Sequence, residues 1–388
     1  MQGNIICTAM EKVTYGQPAA QAVKAEAERL NARRVFLLVS RSLNHNTNEI
    51  KKIRDALGAR YVGEYEGIPS HAPRSAVILA SAKARDLEAD LIVAVGGGSV
   101  VDAGKIMLIC LKHGLTSPDE LDPFHVYVND AGDVIDPDFD GPDIRMIAVP
   151  TTLSGGEFNP LGGATDEVKK LKQGYQHRLL VPVTVILDPE ITRHTPEWLW
   201  MSTGIRSLDH ALETLGSFQS NDYCDGIADS AIRLLIEGLP RVKKNPKDFE
   251  ARLKCQIGVW QSMVPVVAGV PMGASHAIGH VLGGTCDVPH GYTSCVMAPF
   301  VLDYNAEVNA DRQKRISTCF GDENRSASFH VDHFIRELGM PRSLREVDIK
   351  EQELKLVAEN TMLDFWARTN PRPINGAENI LDILKMAF

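Results

Sequence analysis

Along the first half of the chain, short uninterrupted apolar runs alternate with stretches that suit helices. Residues 35–40 (VFLLVS), 76–80, 91–95 and 146–149 are rich in β-branched and apolar side chains and read as strands. Residues 18–30 and 100–111 read as helices, the first opening on a proline that suits a helix's first turn. This βαβ rhythm predicts a parallel sheet covered by helices on both faces. Residues 129–143, dense in Asp, Gly and Pro, read as a loop, and 162–185 as a hairpin followed by a return strand that ends in an Ile-Leu-Asp-Pro-Glu turn. After Pro189 the strand signals fade. Apolar residues then recur at helical spacing through 227–239, 253–267, 316–338 and 352–367. The expected organisation is an α/β domain over 1–188 and an all-α domain over 189–388, with no internal repeat and a ligand cleft between them.

Composition narrows the functional classes. With 388 residues, 44% of them hydrophobic and 23% charged, the chain suits two globular domains of ordinary size. Its formal charge of -9 is spread without a basic block, so nucleic acid is not an expected partner. The opening MQGNIICTAMEKVTYGQ lacks a basic segment leading into an apolar core, and the longest apolar stretch, 263–272, holds two prolines. Neither export nor a membrane anchor is expected. Seven cysteines without a C-x-x-C pair suit reduced thiols in the cytoplasm and exclude a zinc knuckle.

Two turns offer sites for an anion. Residues 91–95 run into Gly96-Gly97-Gly98-Ser99 and then into a helix carrying Asp102 and Lys105. Free N–H groups and the positive helix end would face a phosphate there, and glycine lets the backbone approach closely. A tight strand-to-helix turn without a ligand is the alternative. A Walker A loop is excluded because five residues separate Gly98 from Gly104 and Ile106 follows Lys105; a G-x-G-x-x-G fingerprint is also absent. The second turn, Pro150-Thr151-Thr152-Leu153-Ser154-Gly155-Gly156-Glu157, suits either nucleotide contacts at a strand's carboxyl end or a capped helix start.

Histidines mark the second half. Arg206 and His210, four apart in a helical stretch, share a face; His276 and His280 are one turn apart, and His290 precedes a glycine. Three imidazoles within fifteen residues of an apolar helical region point to metal ligation or proton transfer.

Together these segments resemble the group III, iron-containing alcohol dehydrogenases, which share their architecture with dehydroquinate synthase. The resemblance rests on Gly96-Gly97-Gly98-Ser99 with Asp102 and Lys105, on Pro150-Thr151-Thr152 with Glu157, on Leu187-Asp188-Pro189, and on the H-x3-H-x9-H pattern of His276, His280 and His290. It implies NAD(H) or NADP(H) bound by Ser40, Gly96, Gly97, Gly98, Ser99, Asp102, Thr151, Thr152, Leu153, Lys172 and Leu187. It puts His210, His276 and His290 at metal-ligand positions for iron or zinc, and His280 near the nicotinamide as a proton relay. A small carbonyl or keto-acid substrate and a cytoplasmic homodimer are further implied.

One position departs from the family pattern. The Asp usually found four residues before the first ligand histidine is Arg206 here. Asp209 points about 100 degrees round the helix from His210 and is a poor substitute. The expectation is that Arg206 binds a substrate carboxylate or polarises the carbonyl in a site needing no metal, with His210 beside it. An arginine used only in packing, with the histidines still binding metal, is the alternative. The segments Gly67-Ile-Pro-Ser-His71-Ala-Pro73 and Asn370-Pro371-Arg372-Pro373 resemble the maleylacetate reductase branch and favour an acidic keto substrate. Ser40-Arg41 stands where NAD-preferring enzymes often carry an acid, which predicts tolerance of NADPH. Replacing His280 should depress turnover more than cofactor affinity. A cyclase of the dehydroquinate synthase type with bound NAD, or a catalytically silent homologue, is the remaining alternative.

Overall fold

The computed structural model describes residues 4–129 and 133–388, which divide into two compact units. One comprises Thr8–Thr152 and Gly156–His194; the other comprises Thr195–Phe388 with Leu153–Gly155 and residues 4–7.

The first unit is built on a sheet of six strands: β1 (Lys12–Tyr15), β2 (Val35–Val39), β3 (Tyr61–Glu66), β4 (Leu91–Gly96), β7 (Arg145–Pro150) and β10 (Thr184–Leu187). Their order is β3-β2-β4-β7-β10-β1, and every neighbouring pair is parallel. Two antiparallel pairs, β5 (Tyr127–Val128) with β6 (Val134–Ile135) and β8 (Leu161–Asp166) with β9 (Leu171–Gln176), account for the rest. Every residue of β2 and β4 is buried, as unbroken apolar strands in a parallel sheet require. The helices are α1 (Ala19–Arg29), α2 (Arg41–Asn46), α3 (Glu49–Leu57), α4 (Arg74–Asp86) and α5 (Gly98–His113). The strand order reverses at β2 and β4, so the ends carrying Ser40 and Gly97 flank the switch point where open α/β sheets bind ligands.

Residues 76–80, expected as a strand, lie inside α4. Ala76, Val77, Ala80, Ser81 and Ala84 are buried at helical intervals while Leu79 is exposed, and the alanine-rich run favours helix. The strand beside β2 is instead β3, whose half-buried Tyr-Val-Gly-Glu-Tyr-Glu gave no apolar run to find. The expected loop 129–143 falls partly on 130–132, outside the described residues; β6 interrupts its remainder.

The second unit is helical: α6 (Glu197–Gly216), α7 (Asp222–Lys244), α8 (Phe249–Val267), α9 (Ala274–Cys286), α10 (His290–Phe320), α11 (Ala327–Glu337), α12 (Leu354–Thr361) and α13 (Ala377–Ala387). The stretch expected as one helix over 316–338 breaks at Gly321, whose φ of 86° ends α10, and restarts where the Ser326 side chain caps α11. The stretch 352–367 likewise divides into α12 and a short 3-10 turn, Phe365–Thr369, capped by Asp364. Ala274, Ile278 and Leu282, four apart along α9, enter a core with Val296 and Met297 of α10, Val357 of α12 and Ile380 of α13. That anchorage leaves another face of α9 for His276 and His280. The α/β and all-α architecture expected from the pattern is therefore the one observed.

Candidate active site

In the sheet unit, β4 ends at Gly96 and α5 begins at Gly98, so Gly97 occupies the N-cap. A Cβ on Gly97 would lie 3.0 Å from the Thr152 Cγ2, which ties this turn to the segment after β7. The Thr151 N–H donates to the Gly96 carbonyl at 2.9 Å. Ser40 closes β2, its N–H bound to the Val95 carbonyl. Ser99 Oγ accepts the His71 N–H at 3.1 Å, and Asp102 pairs with Lys172 at 3.0 Å. Gly96, Gly97, Gly98 and Ser99 thus open a helix of sixteen residues, beside Thr151, Thr152, Asp102 and Lys172. Such a turn suits a pyrophosphate.

Two of the expected cofactor residues are placed differently. Leu187 is buried within β10, leaving its backbone as the group nearest the strand end. Leu153 belongs to the helical unit: its N–H donates to Thr203 Oγ1 at 3.0 Å and its carbonyl accepts Ser207 Oγ at 2.5 Å. Lys105 is fully buried and its ammonium donates to the carbonyls of Gly156, Asn159 and Leu161 at 2.5, 2.9 and 2.6 Å. It fastens the segment after β7 to α5.

In the helical unit, α6 supplies Arg206, Asp209, His210 and Glu213, and α9 supplies His276 and His280. All of them except His280 are buried to nine-tenths or more in the side chain or residue. Gly291 admits α10 to this cluster, since a Cβ there would lie 2.5 Å from the Ser202 Oγ. The His210 and His276 rings stack with centroids 4.6 Å apart, and those of His280 and His290 are 5.8 Å apart and nearly parallel at 8°. Glu213 accepts His276 Nδ1–H at 2.7 Å on Oε2, along with the Gly273 N–H at 2.9 Å, while its Oε1 accepts the Ser275 N–H at 2.9 Å. A carboxylate at the N-terminus of α9 therefore also fixes the tautomer of His276. Asp209 Oδ2 accepts the hydroxyls of Ser275 and Ser294, both at 2.7 Å.

Burial sets the charges. It pushes the pKa of His210 and His276 well below the usual imidazole value, with Arg206 and neighbouring histidines adding to the effect, so both rings are neutral. Burial also lifts the carboxyls of Asp209 and Glu213 and lowers the Arg206 guanidinium. Arg206 is only 5% exposed, yet its one hydrogen bond is Nη1–H to Ser294 Oγ at 3.2 Å. Two imidazole nitrogens, His210 Nδ1 and His276 Nε2, are buried without a hydrogen-bond partner.

Residues 10–189 match the iron-containing alcohol dehydrogenase family model and 200–388 the C-terminal model of the Fe-containing alcohol dehydrogenase family. The chain is 32% identical to Dehydrogenase ALT3 of Alternaria alternata, over 91% of this chain and 98% of that one. The chain belongs to the iron-containing alcohol dehydrogenase family. It is 28% identical to Maleylacetate reductase 2 of Cupriavidus pinatubonensis, over 97% of this chain and 94% of that protein. The crystal structure of maleylacetate reductase from Agrobacterium tumefaciens is similar with a TM-score of 0.83 and 26% identity, covering 100% of this chain and 99% of that one. The activity class is that of an NAD(P)-dependent oxidoreductase.

For a family named after iron, the donor set here is unusual. Ligand atoms of Asp209, Glu213 and His276 lie within 4.8 Å of one another, a grouping that sequence spacing did not suggest. Part of this set is already engaged within the protein: Asp209 Oδ2 accepts two hydroxyls, and Glu213 accepts two backbone N–H groups and His276 Nδ1–H. The two carboxyls both face His276 Nδ1, Glu213 at 2.7 Å and Asp209 at 3.5 Å. Beside the neutral imidazoles stands the Arg206 guanidinium, where the family pattern supplies an anionic Asp. A divalent ion would meet a like charge there, beside carboxyls already hydrogen-bonded within the protein, so Arg206 makes this a poorer metal site than an anionic Asp at that position would.

The two short segments taken as pointers to an acidic substrate have structural duties. Asn370 Oδ1 accepts the Ala274 N–H at 3.1 Å, which caps α9 jointly with Glu213, and its amide pairs with Asn305. Arg372 spends its fork on the Tyr304 carbonyl and Glu307. His71 and Ala72 take left-handed backbone (φ 64° and 49°), and their carbonyls bind the Thr165 hydroxyl and N–H. Sequence reading missed Glu213, Asp364 and Trp366. Glu213 lies one turn beyond His210 on α6, a spacing that could have flagged it. Asp364 and Trp366 sit in an irregular segment that carries no such signal.

Proposed function

We propose that this enzyme reduces a small keto acid or unsaturated keto acid at the expense of NADH or NADPH, in the manner of a maleylacetate reductase, and that Arg206 binds the substrate's carboxylate or polarises its carbonyl. The observation that carries this reading is the Arg206 guanidinium, buried with a single hydroxyl partner. A buried cation with four idle N–H groups is costly, and a planar carboxylate accepting from its fork removes that cost. Similarity to maleylacetate reductases over nearly the whole chain supports the same substrate class.

Gly96, Gly97, Gly98, Ser99, Thr151 and Thr152 would hold the dinucleotide, which supplies the hydride when bound. Arg41, exposed at the start of α2, has no ion-pair partner among the described residues, and Glu66 is engaged by His45 and Asn44; both features favour acceptance of a 2′-phosphate. His210 and His276, neutral and stacked, form one wall of the substrate pocket, where Arg206 stabilises the negative charge that develops on oxygen. His280 delivers a proton to that oxygen from Nε2. The expected setting is a cytoplasmic homodimer.

Steady-state rates on keto acids and matched uncharged carbonyls, with both nucleotides, test the role of Arg206. Arg206→Met should lower kcat/KM about 1000-fold for the acids, roughly 4 kcal/mol of lost transition-state binding, and far less for uncharged analogues. Equal losses on both would refute carboxylate recognition. Metal analysis of the purified enzyme tests the remainder of the reading: tight stoichiometric iron or zinc whose chelation abolishes turnover would sink it.

A further inference from the structure

We infer that Asp364 is the positioning residue of the proton-donating histidine, holding His280 as the Nδ1–H tautomer so that Nε2 alone exchanges the proton with substrate. This rests on the reading of His280 as the proton carrier.

His280 Nδ1 lies 2.8 Å from Asp364 Oδ2, a contact spanning 84 residues of chain. A carboxylate only accepts, so Nδ1 bears the hydrogen. The other oxygen of the same carboxylate, Oδ1, accepts the Trp366 N–H at 2.9 Å and starts the 3-10 turn Phe365–Thr369. Trp366 then lies against His280, its ring centroid 4.9 Å away, and edge-on to His276 at 5.7 Å. One carboxylate thus sets both the ring flip of His280 and the indole packed on it, while the nearly parallel His290 ring bounds it as well. His280 retains 37% of its side-chain exposure and Asp364 only 19%, so the ring has an open edge while its anchor is covered.

The proton balance is closed. Imidazolium His280, with hydrogens on both nitrogens, breaks its Nε2–H bond as the substrate oxygen takes that proton, and the electron pair stays on Nε2. The ring becomes neutral with Nδ1–H still on Asp364. Solvent restores the Nε2 proton, and Asp364 Oδ2 accepts the Nδ1–H throughout. His276 has the same kind of anchor in Glu213, but without an open edge.

Asp364→Asn separates these ideas because it is isosteric. With its Oδ1 kept on the Trp366 N–H, the new amide faces Nδ1 as a donor, which inverts the neutral tautomer and opposes the imidazolium. Nitrogen-15 NMR of cofactor-free protein should show His280 protonated at Nδ1 in wild type and at Nε2 in the variant. Turnover should fall about 10- to 100-fold with KM and nucleotide affinity within about 3-fold. Adding His280→Ala to Asp364→Asn should lower turnover no further than His280→Ala alone. An Nε2–H tautomer in the wild-type protein overturns the inference whatever the variants do. Full turnover in Asp364→Asn with loss in His280→Ala overturns it while leaving His280 as proton carrier; full turnover in both overturns His280's own role.

Discussion

Lys105 and Arg206 are both buried cations without an ion-pair partner among the described residues, and they differ in what surrounds the charge. In the sheet unit, three backbone carbonyls and the Asn159 side chain take up the Lys105 ammonium. In the helical unit, a single serine hydroxyl meets Arg206. A buried charge whose hydrogens are all spoken for serves the fold, whereas one left mostly idle keeps donors that an anion could take up. The contrast sets a cation bound up in the fold against the one proposed above to take an anion, without reference to any relative.

Lys105→Met is the harshest test of that contrast. It strands carbonyls inside the sheet unit and should cost about 3 kcal/mol or more in urea-induced unfolding, with substrate discrimination intact in whatever remains folded. A mild loss would mean that the ammonium is as expendable structurally as the guanidinium is held to be. Glu157 asks whether the Lys105 charge is balanced by carbonyl dipoles or by a neighbouring acid. Burial pushes this carboxyl up to about 7 from an ordinary 4.5, so the fold favours its protonated form. Its stabilising contribution is complete below pH 4.5 and lost as pH rises through 7, a swing of up to about 3 kcal/mol at about 1.4 kcal/mol per unit. Glu157→Gln should flatten the unfolding free energy across that window; an unchanged slope would make Glu157 and Lys105 an ion pair and blur the comparison. Smallest is the stability effect of Arg206→Met, where removing an unpaired buried charge should stabilise the fold by about 1 kcal/mol even as activity on keto acids collapses. Marked destabilisation would show that Arg206, too, supports the fold.

The same two regions differ in how far sequence reading reaches. The glycine turn was legible because strand, turn and helix are contiguous, and each local preference agrees with the global fold. The histidines were legible from their four-residue spacing on α9. Their anchors were not: Glu213 reaches His276 across 63 residues and Asp364 reaches His280 across 84, distances at which no periodicity operates. The apolar run 76–80 misled because burial on one face of a helix and burial within a strand look alike over five residues, and only the alanine content favours the helix. Asn370 of the short N-P-R-P segment caps the helix that bears His276 and His280, again from 96 residues away.

That cap has a consequence for synthesis. The sheet unit is complete in sequence at His194, midway along the chain. The surroundings of His276 and His280 are completed by Asp364, Trp366 and Asn370, which are made long after that point. A nascent chain therefore carries its whole Gly96–Ser99 turn long before it can fix the ring of His280, so the two features are acquired at separate stages of synthesis.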